Sequence, residues 1–359
     1  DYAEGFDIEK APLSRIALIR FGDAEWKFVW SFSHLVLDGW SMAIVLGEMA
    51  EIYNAERDGR EENLPEVHPY REFVAWLEQQ DAAPAENYWR TALAGFEPPT
   101  PLPFDGSGGV AHDEWVVAEA RRVVSKTAFV SLQALARSSE TTLGTLLQKL
   151  WAQLLGRYAA TTDVVVGGIS SGRPFEVEGI ESMVGLFINA LPVRVRFDLS
   201  ETLAEHLRRL QSDQFEQREY EHFTYEQVLR WAGLPRNTPV YESLLVYQNY
   251  PVDAIAGSGA PFEVFDARMR EANDVPLTLF VGPSPEGLVL RLAYHWRRFD
   301  RDSAEKILDA LEAMLLAVAE NPRVRLADLP LTTSASRAEI LALRDLAAFA
   351  GREVPAEFR

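Results

Sequence analysis

The 359 residues carry 54 acidic and 35 basic side chains, a formal charge of −19, with 47% hydrophobic and 25% charged residues. That mixture is too apolar for a disordered chain and long enough for two domains, while so negative a surface repels phosphate backbones and excludes general nucleic-acid binding. There is no cysteine, which excludes disulfides, thiolate catalysis and cysteine-ligated metals.

The first residues, DYAEGFDIEK, lack both Met and a signal-peptide pattern and read as the middle of a longer polypeptide. Ser14–Phe21 and Glu25–Phe32 have the β-branched and aromatic composition of strands, with Gly22-Asp23 as the turn between them. Beyond Gly39, the residues Met42, Val45, Leu46, Met49 and Ile52 recur at helical spacing until Gly59. Arg60–Pro69 reads as a linker, Tyr70–Leu93 as a helix broken at Pro84, and Pro98–Gly109 as an irregular connection. Helical patterns follow at Thr127–Arg137, Thr142–Tyr158, Leu203–Gln217 and Ser303–Glu320. The last is introduced by Asp302 and Glu305 in a capping-box arrangement. Strands are predicted at Asp163–Ile169, Leu191–Phe197, Leu244–Tyr247, Pro276–Val281 and Leu288–His295. Strands and helices mix without regular alternation, which predicts an α+β fold built on a mixed sheet. No run approaches the ~18 consecutive apolar residues of a membrane helix.

Six histidines are the first candidates for chemistry. His68 and His112 lie in irregular connections, and His206, beside Arg208 and Arg209, reads as a surface residue. None belongs to an HxxxH or HExxH pattern, so no metal site is expected. His34 differs, because in Ser33-His34-Leu35-Val36-Leu37-Asp38-Gly39-Trp40-Ser41 it ends an apolar strand just before a helix. Such a junction can hold the backbone firmly while the side chain faces a cleft, where an imidazole is suited to accept a proton from an attacking nucleophile; the other reading is a structural histidine in a chance HxxxD, for the spacing alone is weak. Asp38 is placed to cap the helix, to accept from nearby amides or to pair with a buried arginine; Arg173, after the apolar run Asp163–Ile169, is the candidate partner. In Met183–Arg194, the Gly and Asn residues offer close backbone approach to an extended ligand, or else the segment is an ordinary core strand.

Taken together, SHLVLDGWS (33–41), ENYWRTALAGFEPPTPLPFD (86–105), TDVVVGGISSGRP (162–174), MVGLFINALPVRV (183–195) and NTPVYESLLVYQNYP (237–251) resemble, in order, the condensation domains of nonribosomal peptide synthetases, in the chloramphenicol-acetyltransferase-like superfamily. The resemblance implies two such lobes in a V with a central tunnel, the N-lobe incomplete in this chain: 1–66 as its remainder, 67–330 as the C-terminal lobe with the boundary as late as 110, and 331–359 as an extension or linker. It implies amide formation between a donor acyl or peptidyl thioester and the amine of an acceptor aminoacyl thioester. Both would ride on phosphopantetheine arms of upstream and downstream peptidyl carrier domains, beside an adenylation domain. No other cofactor, metal, nucleic acid or membrane is implied.

By position, His34 matches the general base or amine-positioning histidine, Asp38 the structural aspartate that meets Arg173, and Gly39 the glycine whose amide lies near the thioester. Asn249, Ser243 and Trp40 fall along the implied substrate tunnel. Ser33 replaces the first motif histidine, a structural position. The flanking residues disfavour heterocyclisation and epimerisation and lean towards a D-configured or starter-acyl donor. Two alternatives remain open, a non-catalytic carrier-docking module and a stand-alone acyltransferase using acyl-CoA.

Overall fold

The computed structural model describes residues 5–104, 117–234, 239–248 and 275–332. They divide into two units, one within 5–82 and 171–189, the other covering the rest. The first unit takes in 171–189 because side chains of that segment are built into its core.

The first unit begins with the strands β1 (Ser14–Arg20) and β2 (Trp26–Phe32), which pair antiparallel from Ser14↔Phe32 to Arg20↔Trp26. Helix α1 (Gly39–Asp58) follows, stopped by Gly59 in the left-handed conformation (φ 63°), where glycine avoids a Cβ clash. The short helix α2 (Arg71–Leu77) supplies Phe73 to a core with Val177, Ile180, Met183 and Phe187. Two chain segments about a hundred residues apart are thus fused by one apolar cluster.

The second unit is centred on a six-stranded sheet in the order β3-β8-β7-β6-β4-β5. Its strands are β3 (Val117–Ser125), β4 (Asp163–Ser170), β5 (Asn189–Arg196), β6 (Ser243–Tyr247), β7 (Leu277–Ser284) and β8 (Gly287–His295). β3 and β7 each pair antiparallel with β8, whereas β6 lies parallel to both β7 and β4. The sheet is therefore mixed, as the sequence predicts. Its helices are α3 (Ala82–Ala92), α4 (Lys126–Ser138), α5 (Leu143–Tyr158), α6 (Leu203–Arg218), α7 (Tyr225–Trp231) and, in sequence order last, α8 (Arg301–Glu320).

Period-two alternation distributes the strand residues between two cores. Val164, Val166, Leu277, Leu279, Val281, Leu290 and Leu292 join Leu150, Trp151 and Leu154 of α5 and Leu311 and Met314 of α8. Val165, Phe280 and Ala293 join Trp89 of α3 and Val228 and Leu229 of α7. Both faces of β4 are covered, which is why Val164-Val165-Val166 reads as an unbroken apolar run.

Several local expectations need correcting. Pro84 does not break a helix but occupies the first turn of α3, where its missing N–H has no intrahelical partner to lose; the interruption lies before Ala82. α8 is capped by Asp300, which accepts from Ser303 N–H, rather than by Asp302. Reciprocal capping boxes occur instead at Thr202/Glu205 and Thr224/Gln227. His206 is buried rather than superficial, with its ring stacked on Phe197 at 5.5 Å. Among the described residues, no helix is long and apolar enough to cross a membrane.

Candidate active site

The site grows from the junction between β2 and α1. Ser33 N–H donates to Leu13 O (3.0 Å) and Ser33 Oγ accepts from Leu35 N–H (3.3 Å), so this serine ties the turn to the residue just ahead of β1. His34 is exposed, with Phe32 edge-on to its ring at 6.0 Å. Its Nδ1 lies 3.1 Å from Leu37 O. A carbonyl only accepts, so Nδ1 donates, and Nε2 of the neutral ring carries the lone pair. Such an imidazole can take a proton through Nε2 while its orientation stays fixed at Nδ1.

Asp38 is fully buried and is the N-cap of α1. Oδ1 accepts from Ser41 N–H (2.8 Å), and Oδ2 accepts from Phe187 N–H (3.2 Å). Arg173 NH2 stands 3.4 Å from Oδ1, so the expected carboxylate–guanidinium pair forms, though at long range. The arginine, with its side chain only 5% exposed, is held chiefly by other acceptors: Ser41 Oγ (3.0 Å), Met183 O (3.0 Å) and Ile180 O. Its guanidinium also lies over the Phe187 ring at 3.9 Å. Burial pulls the Arg173 pKa below its ordinary value, and the Asp38 charge opposes that shift. Tyr70 is shifted upward, first by burial and then by Asp38; its hydroxyl donates to Leu186 O (2.6 Å).

Gly39 is the first residue of α1, at the end where helical N–H groups lack intrahelical acceptors. Trp40 is 37% exposed, and its indole N–H donates to Glu181 O (2.9 Å), tying it to the 171–189 segment. Ser243 lies in the second unit, buried, accepting from the Trp151 indole at 2.7 Å. Asn249 falls outside the described residues.

The structure thus gathers His34, Asp38, Gly39, Trp40 and Arg173 in one unit and adds two residues that sequence reasoning does not single out, Ser41 and Tyr70, together with Gly185, for which the sequence suggests a different role. A Cβ at Gly185 would sit 2.1 Å from the Tyr70 ring, so this glycine admits an aromatic side chain of the protein itself and not an extended ligand. Residues 183–188 are not strand; β5 starts at Asn189. Among the described residues, no group of three or more His, Asp or Glu side chains is placed to hold a metal ion.

Residues 1–341 match the sequence model of the condensation domain family, and the chain belongs to that family. It is 37% identical over 343 residues to a linear gramicidin synthase polypeptide of Brevibacillus parabrevis, covering 95% of this chain and 4% of that protein. To bacitracin synthase 3 of Bacillus licheniformis it is 33% identical over 349 residues, covering 95% and 5% respectively. The chain therefore spans only about a twentieth of the length of these relatives. Among solved structures, the X-domain from teicoplanin biosynthesis aligns with a TM-score of 0.76 at 24% identity, over 91% of this chain and 77% of that one. The first condensation domain of the CDA synthetase aligns at 0.71 and 20% identity, over 89% and 70%. The mixed α/β fold is that of condensation domains.

Proposed function

We propose that this chain is the acyltransferase that forms an amide bond between two carrier-bound substrates. The donor is an acyl or peptidyl thioester and the acceptor an aminoacyl thioester, each on a phosphopantetheine arm. The observation that carries this reading is the exposed His34 ring, fixed through Nδ1 to Leu37 O with Nε2 open.

The acceptor amine attacks the donor carbonyl carbon, the C–N bond forms, and the C–S bond breaks to release the donor arm as a thiol. The amine loses one proton and the departing sulfur gains one. In this reading His34 Nε2 takes the first and returns the second. Holding both reactants on tethered arms lowers the barrier by converting an encounter into an oriented reaction, worth several kcal/mol. Asp38 and Arg173 act at a distance, by fixing the turn that carries His34, and the Gly39 N–H is a candidate donor to the developing oxyanion. Such a domain works in the cytoplasm, between carrier domains and beside an adenylation domain of one polypeptide.

The test is to mix the chain with a loaded donor carrier and a loaded acceptor carrier and to weigh the acceptor intact. The expected result is a mass gain equal to the donor acyl group, with free thiol on the donor carrier. Carrier binding with no transfer would mark a docking module instead. Transfer from free acyl-CoA, with none between carriers, would mark a stand-alone acyltransferase.

A further inference from the structure

Ser41, the third residue of α1, is completely buried. A serine hydroxyl has one proton and two lone pairs, and here all three are used. Oγ donates to Gly185 O (2.8 Å) and accepts from Gly185 N–H (3.1 Å) and from Arg173 NH2 (3.0 Å). Gly185 O also accepts from Asp38 N–H at 3.1 Å. That N–H belongs to the same planar peptide unit as the Leu37 carbonyl, the group to which His34 Nδ1 donates.

One rigid amide is therefore held at both ends, by Gly185 O on its N–H and by the imidazole on its carbonyl. Because the unit is planar, aiming one end aims the other. Ser41 O–H and Asp38 N–H both donate to Gly185 O, so the hydroxyl fixes where that carbonyl sits, and the Leu37–Asp38 peptide links it in turn to His34 Nδ1. Without the Ser41 hydroxyl, Gly185 loses a partner on each of its backbone polar groups.

The geometry points to Ser41 as a positioning residue for the amide-forming step: its hydroxyl aims Gly185 O at the Leu37–Asp38 peptide and so keeps His34 in the Nδ1–H form with Nε2 towards the substrates. This inference rests on the function proposed above, and its test includes a readout independent of that function.

The full chain, labelled with ¹⁵N at its histidines, reports the His34 tautomer by NMR, the signal being assigned by its disappearance in His34→Gln. Amide formation between loaded carriers supplies kcat and KM. Ser41→Ala is expected to lower kcat roughly 10- to 100-fold, the scale of a small misplacement at a reacting centre, at unchanged KM for both carriers. The Nδ1–H population of His34 should fall in parallel. Ser41→Thr, which keeps the hydroxyl, should restore both quantities. Ser41→Cys keeps the volume with only a weak donor and carries the same test if the alanine chain does not fold. A folded alanine or cysteine variant with the wild-type tautomer and kcat within twofold overturns the inference. So does a kcat loss accompanied by no tautomer change and no rescue by threonine. A wild-type chain that makes no amide sinks the proposed function, while the tautomer comparison still decides the role of Ser41.

Discussion

Replacing Asp38 by Ala would leave the Arg173 guanidinium at 5% exposure without its counter-charge and free the amides of Ser41 and Phe187 from their acceptor. Breaking a buried pair from one side costs about 3–5 kcal/mol. The long 3.4 Å separation and the carbonyl partners of Arg173 argue for the lower end. Urea unfolding of Asp38→Ala should show a loss of about 3 kcal/mol, with Asp38→Asn losing less because its amide oxygen still accepts. Equal, sub-kcal losses for both would contradict a stabilising role for the Asp38 carboxylate. Gly185→Ala is a second residue-scale case, since its methyl would meet Tyr70 ring carbons at 2.1 and 2.4 Å. Overpacking of that kind costs about 1–3 kcal/mol, and Tyr70→Ala in the same chain should recover part of it. No recovery in the double variant would show that the strain lies elsewhere. His34, Asp38 and Arg173 are legible in the sequence because residue type and order alone mark them. Ser41 and the partners of Gly185 are not, for their bond joins positions 144 apart and a glycine does not announce which side chain it admits.

At the scale of elements, long periodic helices such as α5 and α8 read clearly from sequence because burial on one face repeats every three to four residues. The seven-residue α7 shows too few turns for a period, and β3 hides behind exposed and charged residues on an edge strand. The Leu203–Gln217 helix is equally legible, yet its His206 misleads, because neighbouring arginines suggest solvent while the ring stacks on Phe197. Burial, with help from Lys149, pushes His206 down from 6.5 to about 4, against the pull of Glu201. Around it stand Glu201 Oε2 (3.1 Å), Arg209 NH2 (2.9 Å) and Lys149. Between those two pKa values the unfolded chain binds a proton that the folded chain does not, so stability falls as pH drops through that window. A contribution of about 3 kcal/mol is expected to disappear between pH 6.5 and 4, and His206→Gln should flatten that dependence. An identical pH slope in the variant would contradict the assignment. Nearby Lys149 is fully buried, donating to Gln153 Oε1 (2.9 Å) with its amine 3.7 Å above Phe197, and burial holds its pKa well below normal. Among the described residues no carboxylate is bonded to it, so Lys149→Met should be neutral or stabilising in thermal melts; a loss above about 2 kcal/mol would show that the amine is needed.

For the molecule as a whole, the mixed sheet and its two apolar layers follow from composition and alternation, whereas the return of 171–189 to the first unit does not, because long-range pairing leaves no local period. The same unit leaves Ile16 and Leu18 61% exposed and Trp26 and Phe28 partly so, on one face of a two-stranded sheet. Such a hairpin is marginal alone, and a contiguous apolar face invites association. The 359-residue chain is therefore expected to bind a hydrophobic dye and self-associate at micromolar concentration. Ile16→Lys with Leu18→Lys should reduce both, and a monodisperse chain that binds no dye would contradict this reading. Whatever covers that face, the central claim concerns one imidazole, and single-turnover transfer between loaded carriers at saturating concentration tests it most directly. His34→Ala is expected to slow amide formation roughly 100-fold or more with carrier binding intact; transfer at close to the wild-type rate would contradict proton transfer at Nε2 as the basis of the reaction.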